Sequence, residues 1–423
     1  MSTLFQKFTL AFHDPTLRKR LLFIAGALIV FRFLSAIPIP GIDATRLVEF
    51  FSGNQFFGLL DIFSGGGLSN FSIVMLGVGP YITASIIMQL LTMMSPKLKA
   101  LYQEEGEAGR ARFAQYSRLL TVPLALVQSF AFLTLLERQG VVPALSSFET
   151  IANIIIITAG SLLVMWLGEL MTEFGIGNGT SLLIFAGIVA RLPQAVSQSL
   201  FSFDASQIPM YLAFLAVAVA IVFGVVFVTE AERPIPVTYA KRVRGNKVYG
   251  GVSTYLPLRV NQAGVIPIIF ALSILLFPQM IATFLSAFKS DLLVSIASLL
   301  TTIFANSWVY AGLYFFLVLL FTYFYTAVTF DPDQISENLQ KNGAFIPGVR
   351  PGDSTSEHIA HILTRITLVG AVFLACVAVL PLAMQGMTGN TSLAIGGTAL
   401  LIVVSVVLDF IKKIDAQVSM REY

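Results

Sequence analysis

Charge is what this chain has least of. Only 12% of its 423 residues are Asp, Glu, Lys or Arg, while 56% are hydrophobic and the mean hydropathy is +0.83. A soluble domain carries roughly 25% charged residues, so this composition is that of a polytopic membrane protein. Cysteine is rarer still. Cys376 is the only one and lies inside an apolar run, where it reads as a small core residue. No disulfide framework and no cysteine-based metal site is possible within one chain. The three histidines, His13, His358 and His361, fall outside the apolar runs. His358 and His361 stand three apart, but no further His or Cys is near, so no metal and no cofactor is expected. A cleavable signal peptide is not apparent either: residues 1–20 are polar and basic, with no convincing small-residue cleavage site.

The apolar runs themselves lack ionisable groups. Asp and Glu keep to loops and run ends, as Glu169 and Glu173 do after the fourth run. Ion-coupled transporters and proton pumps usually carry such groups at membrane depth. No nucleophile–base pair, HExxH or two-carboxylate site can be placed there, which argues against an intramembrane enzyme. Arg32 is the exception, either facing a partner or water, or snorkelling from near the end of the first run. GIGNGT at 175–180 has the look of a glycine-rich phosphate loop, but no strand precedes it and a helix–helix turn fits better.

What is present is a series of apolar runs of spanning length, a crossing needing ~20 residues. They predict ten transmembrane helices at 21–37, 73–94, 119–136, 151–168, around 184–190, 209–229, 262–288, 307–330, 366–383 and 393–409. The fold expected is all-α and polytopic. Ten crossings put both termini on one side, and 21 Lys and Arg fall on that side against Arg46, Arg138, Arg191 and Lys289 opposite. Positive residues stay cytoplasmic, so both termini are expected inside. Ten also divides into two halves of five, 1–200 and 201–423, the second inverted relative to the first, with a pathway at their interface.

The stretch at 55–94 organises the rest. Residues 56–63 are apolar and aromatic but too short to cross a bilayer, and Gly65, Gly66 and Gly67 tie them to the second run. Irregular backbone at membrane depth must be buried in protein or line a watery cavity. The short helix therefore belongs inside a vestibule made by other helices, or else lies in the interface plane. Two long polar loops complete the organisation, at 230–261 and 331–365. The first carries KRVRGNK at 241–247, the second GAFIPGVRPGD at 343–353. Such loops are either plain positive-inside turns or docking sites for acidic protein patches or RNA phosphates.

The residues closely resemble the SecY/Sec61-alpha family of protein-conducting channels. The likeness runs from about residue 18 to 409, through IPIPGI (37–42), FSGG (63–66), PYITASII (80–87), MWLGE (165–169), GIGNG (175–179), IFAGIVA (184–190), YAKR (239–242), LPLRVN (256–261), GAFIPGVRPG (343–352), TRITLVGA (364–371) and GGTALLIVV (396–404). The resemblance implies two halves closing on a central pore in a bacterial cytoplasmic membrane. The short helix, with Phe56, Phe57, Leu59, Leu60, Ile62, Phe63, Gly65 and Gly66, would be the plug. Val78, Ile82, Thr180, Ile184, Ile269 and Ile402 would form an apolar constriction, Thr180 standing where an aliphatic residue is usual. Gln89 and Asn261 match the polar pair of a lateral gate. Lys241, Arg242, Arg244, Lys247 and Arg350 match loop positions that meet the motor ATPase SecA and the ribosome, although Asn246 and Phe174 stand where basic residues are common. SecE, SecG, signal peptides, unfolded preproteins and membrane lipid are the further partners implied, and DNA is not among them. The competing reading from a different class is a ten-span secondary transporter of a small solute. It predicts charged or ion-coordinating residues near the midplane.

Overall fold

The computed structural model describes residues 14–40, 64, 66–68, 70–138, 140, 142–143, 145–190, 193, 197, 208–239, 242–244, 247–249, 253–286, 291–388 and 391–419. Among them the helices are α1 (Pro15–Leu34), α2 (Gly79–Met94), α3 (Pro96–Gln103), α4 (Gly106–Arg138), α5 (Ser147–Phe174), α6 (Gly179–Val189), α7 (Ile208–Glu230), α8 (Ile266–Ser286), α9 (Asp291–Ala305), α10 (Ser307–Thr329), α11 (Pro332–Lys341), α12 (Asp353–Thr388) and α13 (Thr391–Ser419). Between α7 and α8 lie strands β1 (Glu232–Tyr239), β2 (Arg242–Arg244), β3 (Lys247–Tyr249) and β4 (Ser253–Arg259). Between α11 and α12 lies β5 (Ala344–Phe345).

Short polar residues start the helices. Asp14, Asn178, Asn306 and Asp331 each accept backbone N–H bonds of the turn that follows, and Ser146 with Glu149 forms a capping box on α5. Such caps satisfy donors that the first helical turn leaves unpaired. Among the described residues, four helices are long and apolar enough to cross a membrane by themselves. Their outer faces stay apolar, with Ile155 58%, Trp166 60% and Phe316 59% exposed. Apolar surface on both the inner and the outer side suits a lipid solvent.

The helices close a circuit. α2 packs on α4, α4 on α5, α5 on α6, α6 on α13, α13 on α12, α12 on α10, α10 on α8, and α8 returns to α2. α1 leans on α5 and α6, and α7 on α13. One buried apolar cluster draws on every helix of the circuit but α4, and a second joins Leu68, Phe71 and Met75 to α4 and α5.

Several sequence expectations change. The run at 73–94 is not one helix: 73–78 is a string of turns and α2 starts only at Gly79. Gly77 has φ 51, the carbonyl of Gly77 accepts from Ser161 Oγ at 2.9 Å, and α5 comes so close at Gly160 that a Cβ there would meet the carbonyl of Ile73. Tertiary contact, not apolarity, sets the helix start. The two long loops are not plain turns. β1 and β4 form an antiparallel ribbon from Glu232↔Arg259 to Thr238↔Ser253, and β5 adds to the other edge of β1, giving the order β4-β1-β5. α12 begins at Asp353 and runs to Thr388, well beyond the 366–383 expected. α9 fills a stretch between the seventh and eighth runs to which no element was assigned.

Candidate functional site

Four of the side chains expected to form a constriction are carried by separate helices of the circuit. Ile82 is in the first turn of α2, Ile184 on α6, Ile269 on α8 and Ile402 on α13. Val78 sits just before α2, one turn from Ile82, to which its carbonyl bonds at 3.0 Å. All five are buried, between 0% and 8% exposed, and all five belong to the same apolar cluster. Thr180 is one turn before Ile184, on the same face of α6. It is only half-buried, and its hydroxyl donates to Asn178 Oδ1 at 2.6 Å. Thr180 thus belongs to the cap of α6 rather than to the buried cluster.

A cavity of about 430 Å³ opens above this apolar floor. Ile82, Ile184 and Ile269 line its base, with Phe270 and Tyr325 beside them. Its wall is polar: Ser85 and Gln89 from α2, Arg118 from α4, Glu169 and Glu173 from α5, and Thr180 and Ser181 from α6. Arg118 Nε lies 2.7 Å from Glu169 Oε1, an ion pair joining α4 to α5 at the cavity wall. Val78 and Ile402 are not part of the cavity lining and sit within the cluster instead. One cavity is thus lined both by polar side chains and by isoleucines that offer water no hydrogen-bond partner.

Gln89 lies on α2 and Asn261 in the segment leading into α8, and α2 packs on α8. The two side chains are not bonded to each other. Gln89 Nε2 donates to Ser85 Oγ at 3.4 Å, and Asn261 Nδ2 to the carbonyl of Gly264 at 3.3 Å. The side-chain oxygens of both are buried without a partner. A buried unpaired acceptor costs about 1–3 kcal/mol, and the hydroxyl of Tyr314 on α10 is buried without a partner in the same way.

At the charged end, Ile235, Val237, Leu258, Ala344, Ile346 and Ile359 form a third apolar cluster, which joins the two loops into one packed unit. Arg350 stands exposed on the turn between β5 and α12 and makes no ion pair among the described residues. Arg242, Arg244 and Lys247 lie in β2 and β3, paired Arg242↔Tyr249 and Arg244↔Lys247. Lys241 falls outside the described residues. So do Phe56, Phe57, Leu59, Leu60, Ile62, Phe63 and Gly65 of the expected plug; of that set only Gly66 is described, at φ 86.

Sequence reasoning passed over Arg118, Tyr81 and Tyr325 as cavity residues. Arg118 and Glu169 are 51 positions apart, and only the fold pairs them. The ribbon had left a signal, since Ile235 and Val237 alternate with exposed neighbours at the period of a strand.

The SecY family model matches residues 72–411. Among curated relatives, the protein translocase subunit SecY of Streptomyces coelicolor is 43% identical, covering 98% of both chains. That of Mycobacterium tuberculosis is 40% identical, covering 96% of both. Among solved structures, a SecY channel described with its plug domain aligns at TM-score 0.67 and 19% identity, over 97% of this chain and 94% of that one. The Sec61 channel of a canine ribosome–channel complex aligns at TM-score 0.60 and 18% identity, over 97% and 94%.

Proposed function

This chain belongs to the SecY family, and from that premise we infer its working: it is a multi-pass membrane channel that conducts polypeptides and not small solutes. One observation carries the reading. A closed circuit of helices surrounds a polar-walled cavity that ends on an aliphatic floor. An apolar constriction dewets and so blocks ions, yet flexible aliphatic side chains can part around a passing chain. Ile82, Ile184, Ile269 and Ile402, with Val78 below Ile82, form that constriction, and Thr180 forms its rim. Residues 55–66 form the plug. The α2–α8 seam at Gln89 and Asn261 is the lateral gate, through which apolar segments leave for lipid; its unpaired oxygens make the closed seam easier to open.

The chain itself carries out no chemistry in this reading, and the driving force comes from partners. The basic stretch at 241–247 and Arg350 meet a SecA-type motor ATPase or a ribosome; the ribosome is supported by the canine Sec61 relative. SecE and SecG complete the channel. The clients are unfolded preproteins led by signal peptides. The ten crossings divide into halves at about residue 200, with both termini and both long loops on the cytoplasmic side of a bacterial membrane.

The test is reconstitution. The channel is purified with its small subunits, placed in lipid vesicles, and supplied with the motor, ATP and an unfolded preprotein. Preprotein should become protected from external protease, and vesicles holding the channel alone should take up no small solute. Solute uptake without preprotein protection contradicts the reading.

A further inference from the structure

The turn that carries Arg350 is pinned from inside by buried hydroxyls. Thr355, 2% exposed in the first turn of α12, donates from Oγ1 to the carbonyl of Arg350 at 2.8 Å. Ser336, 4% exposed on α11, donates from Oγ to the carbonyl of Gly352 at 2.7 Å. Pro351 lies between those two carbonyls, with its φ locked by its ring. The helices that supply the hydroxyls are themselves tied, because Ser356 Oγ donates to Asp333 Oδ1. Upstream, Ile346 is buried in the third cluster and β5 is paired with β1.

These bonds are not helix caps. A cap accepts from the free N–H groups of the first helical turn. Ser336 and Thr355 donate instead: Thr355 to the carbonyl of Arg350, and Ser336 to the carbonyl of Gly352, which also accepts the Thr355 and Ser356 N–H groups at the start of α12. What the two bonds do is fix the backbone on both sides of Pro351, and with it the direction in which the Arg350 side chain leaves the surface.

We propose that Ser336 and Thr355 are positioning residues: their hydroxyls hold the Arg350 turn in the orientation that a docking partner meets. This rests on the reading of Arg350 as a motor-docking residue. A preset turn spares the partner the ordering cost that a loose loop would impose on binding. The effect therefore falls on how readily the motor binds and not on how fast the bound complex moves its client.

Motor-driven translocation into vesicles, titrated with the motor ATPase, separates the two. Thr355→Val and Ser336→Ala should each raise the half-saturating motor concentration roughly fivefold, the loss that one ordinary hydrogen bond carries. Maximal rate and melting temperature in detergent should hardly change, and Thr355→Ser should restore the parent value. In an Arg350→Glu background Thr355→Val should add almost nothing. Arg350→Glu without effect overturns the docking reading and this inference with it. Arg350→Glu impaired, with Thr355→Val and Ser336→Ala silent, overturns the inference alone. A Thr355→Val defect that persists in full beside Arg350→Glu, or that Thr355→Ser shares, also overturns it. If both hydroxyl-deletion variants fail to accumulate, the hydroxyls are structural and the proposal is wrong.

Discussion

At the scale of single residues, the proposed constriction rests on aliphatic surface and not on any one side chain. Val78, Ile82, Ile184, Ile269 and Ile402 share burial and lack hydrogen-bonding groups. A swap between aliphatic residues in a core usually costs less than about 1.5 kcal/mol. Ile82→Leu should therefore leave resting ion conductance and preprotein export near those of the parent. Ile82→Asn places an amide at the base of the cavity, where it can hold water against the floor. It should raise resting conductance in planar bilayers and relax the demand on the signal peptide. An unchanged conductance for Ile82→Asn, with export lost in Ile82→Leu, would make Ile82 a shape-specific packing residue. Ile82, Ile184 and Ile402 could be named from the sequence because each lies in a local motif, and Val78 and Ile269 stand a few residues outside one. The Arg118–Glu169 pair could not, since neither residue's neighbours indicate a partner 51 positions away. Thr180 was legible as a position but not as a role, because the hydroxyl's commitment to Asn178 appears only once the cap is folded.

At the scale of elements, close backbone approach matters as much as apolar length. The turn between α5 and α6 brings Gly179 against α5 so tightly that a Cβ there would meet the carbonyl of Gly168. Thr172 Oγ1 accepts from Gly179 N at 2.9 Å across the same contact. Gly179→Ala should lower stability by at least about 1–3 kcal/mol, the usual cost of forcing atoms into a packed site. Gly26, in the middle of α1, has open space where its Cβ would go. Gly26→Ala should instead be neutral or stabilise by up to ~1 kcal/mol, as expected for alanine in a helix interior. Thermal melting in detergent compares them, and equal effects would contradict the packing described. The same distinction explains which elements were legible. A run of 307–330 was expected and α10 is Ser307–Thr329, because Asn306 announces its start and the apolar run fills its length. α2 was read six residues too long at its start, because hydropathy does not register the turns that α5 imposes on 73–78. α9, of 15 residues, falls short of a crossing and so gave no spanning signal.

At the scale of the whole molecule, the account depends on separate helices meeting at one place. Ile82 on α2, Ile184 on α6 and Ile269 on α8 lie far apart in the chain yet line one cavity, and Ile402 on α13 belongs to the same buried cluster. Composition and hydropathy could point to a membrane bundle, and the excess of Lys and Arg on one side to the face expected inside. Hydropathy cannot show that the bundle closes on itself, since that depends on packing between distant helices. The direct measurement is photo-cross-linking from a translocation intermediate arrested in transit, with a photoreactive residue replacing Ile82, Ile184, Ile269 or Ile402 in turn. Each of the four positions should link to the arrested chain, while Phe316 on the outer face of α10 should not. Links from Phe316 with none from the four isoleucine positions would mean that polypeptide does not pass through the centre of the helix circuit.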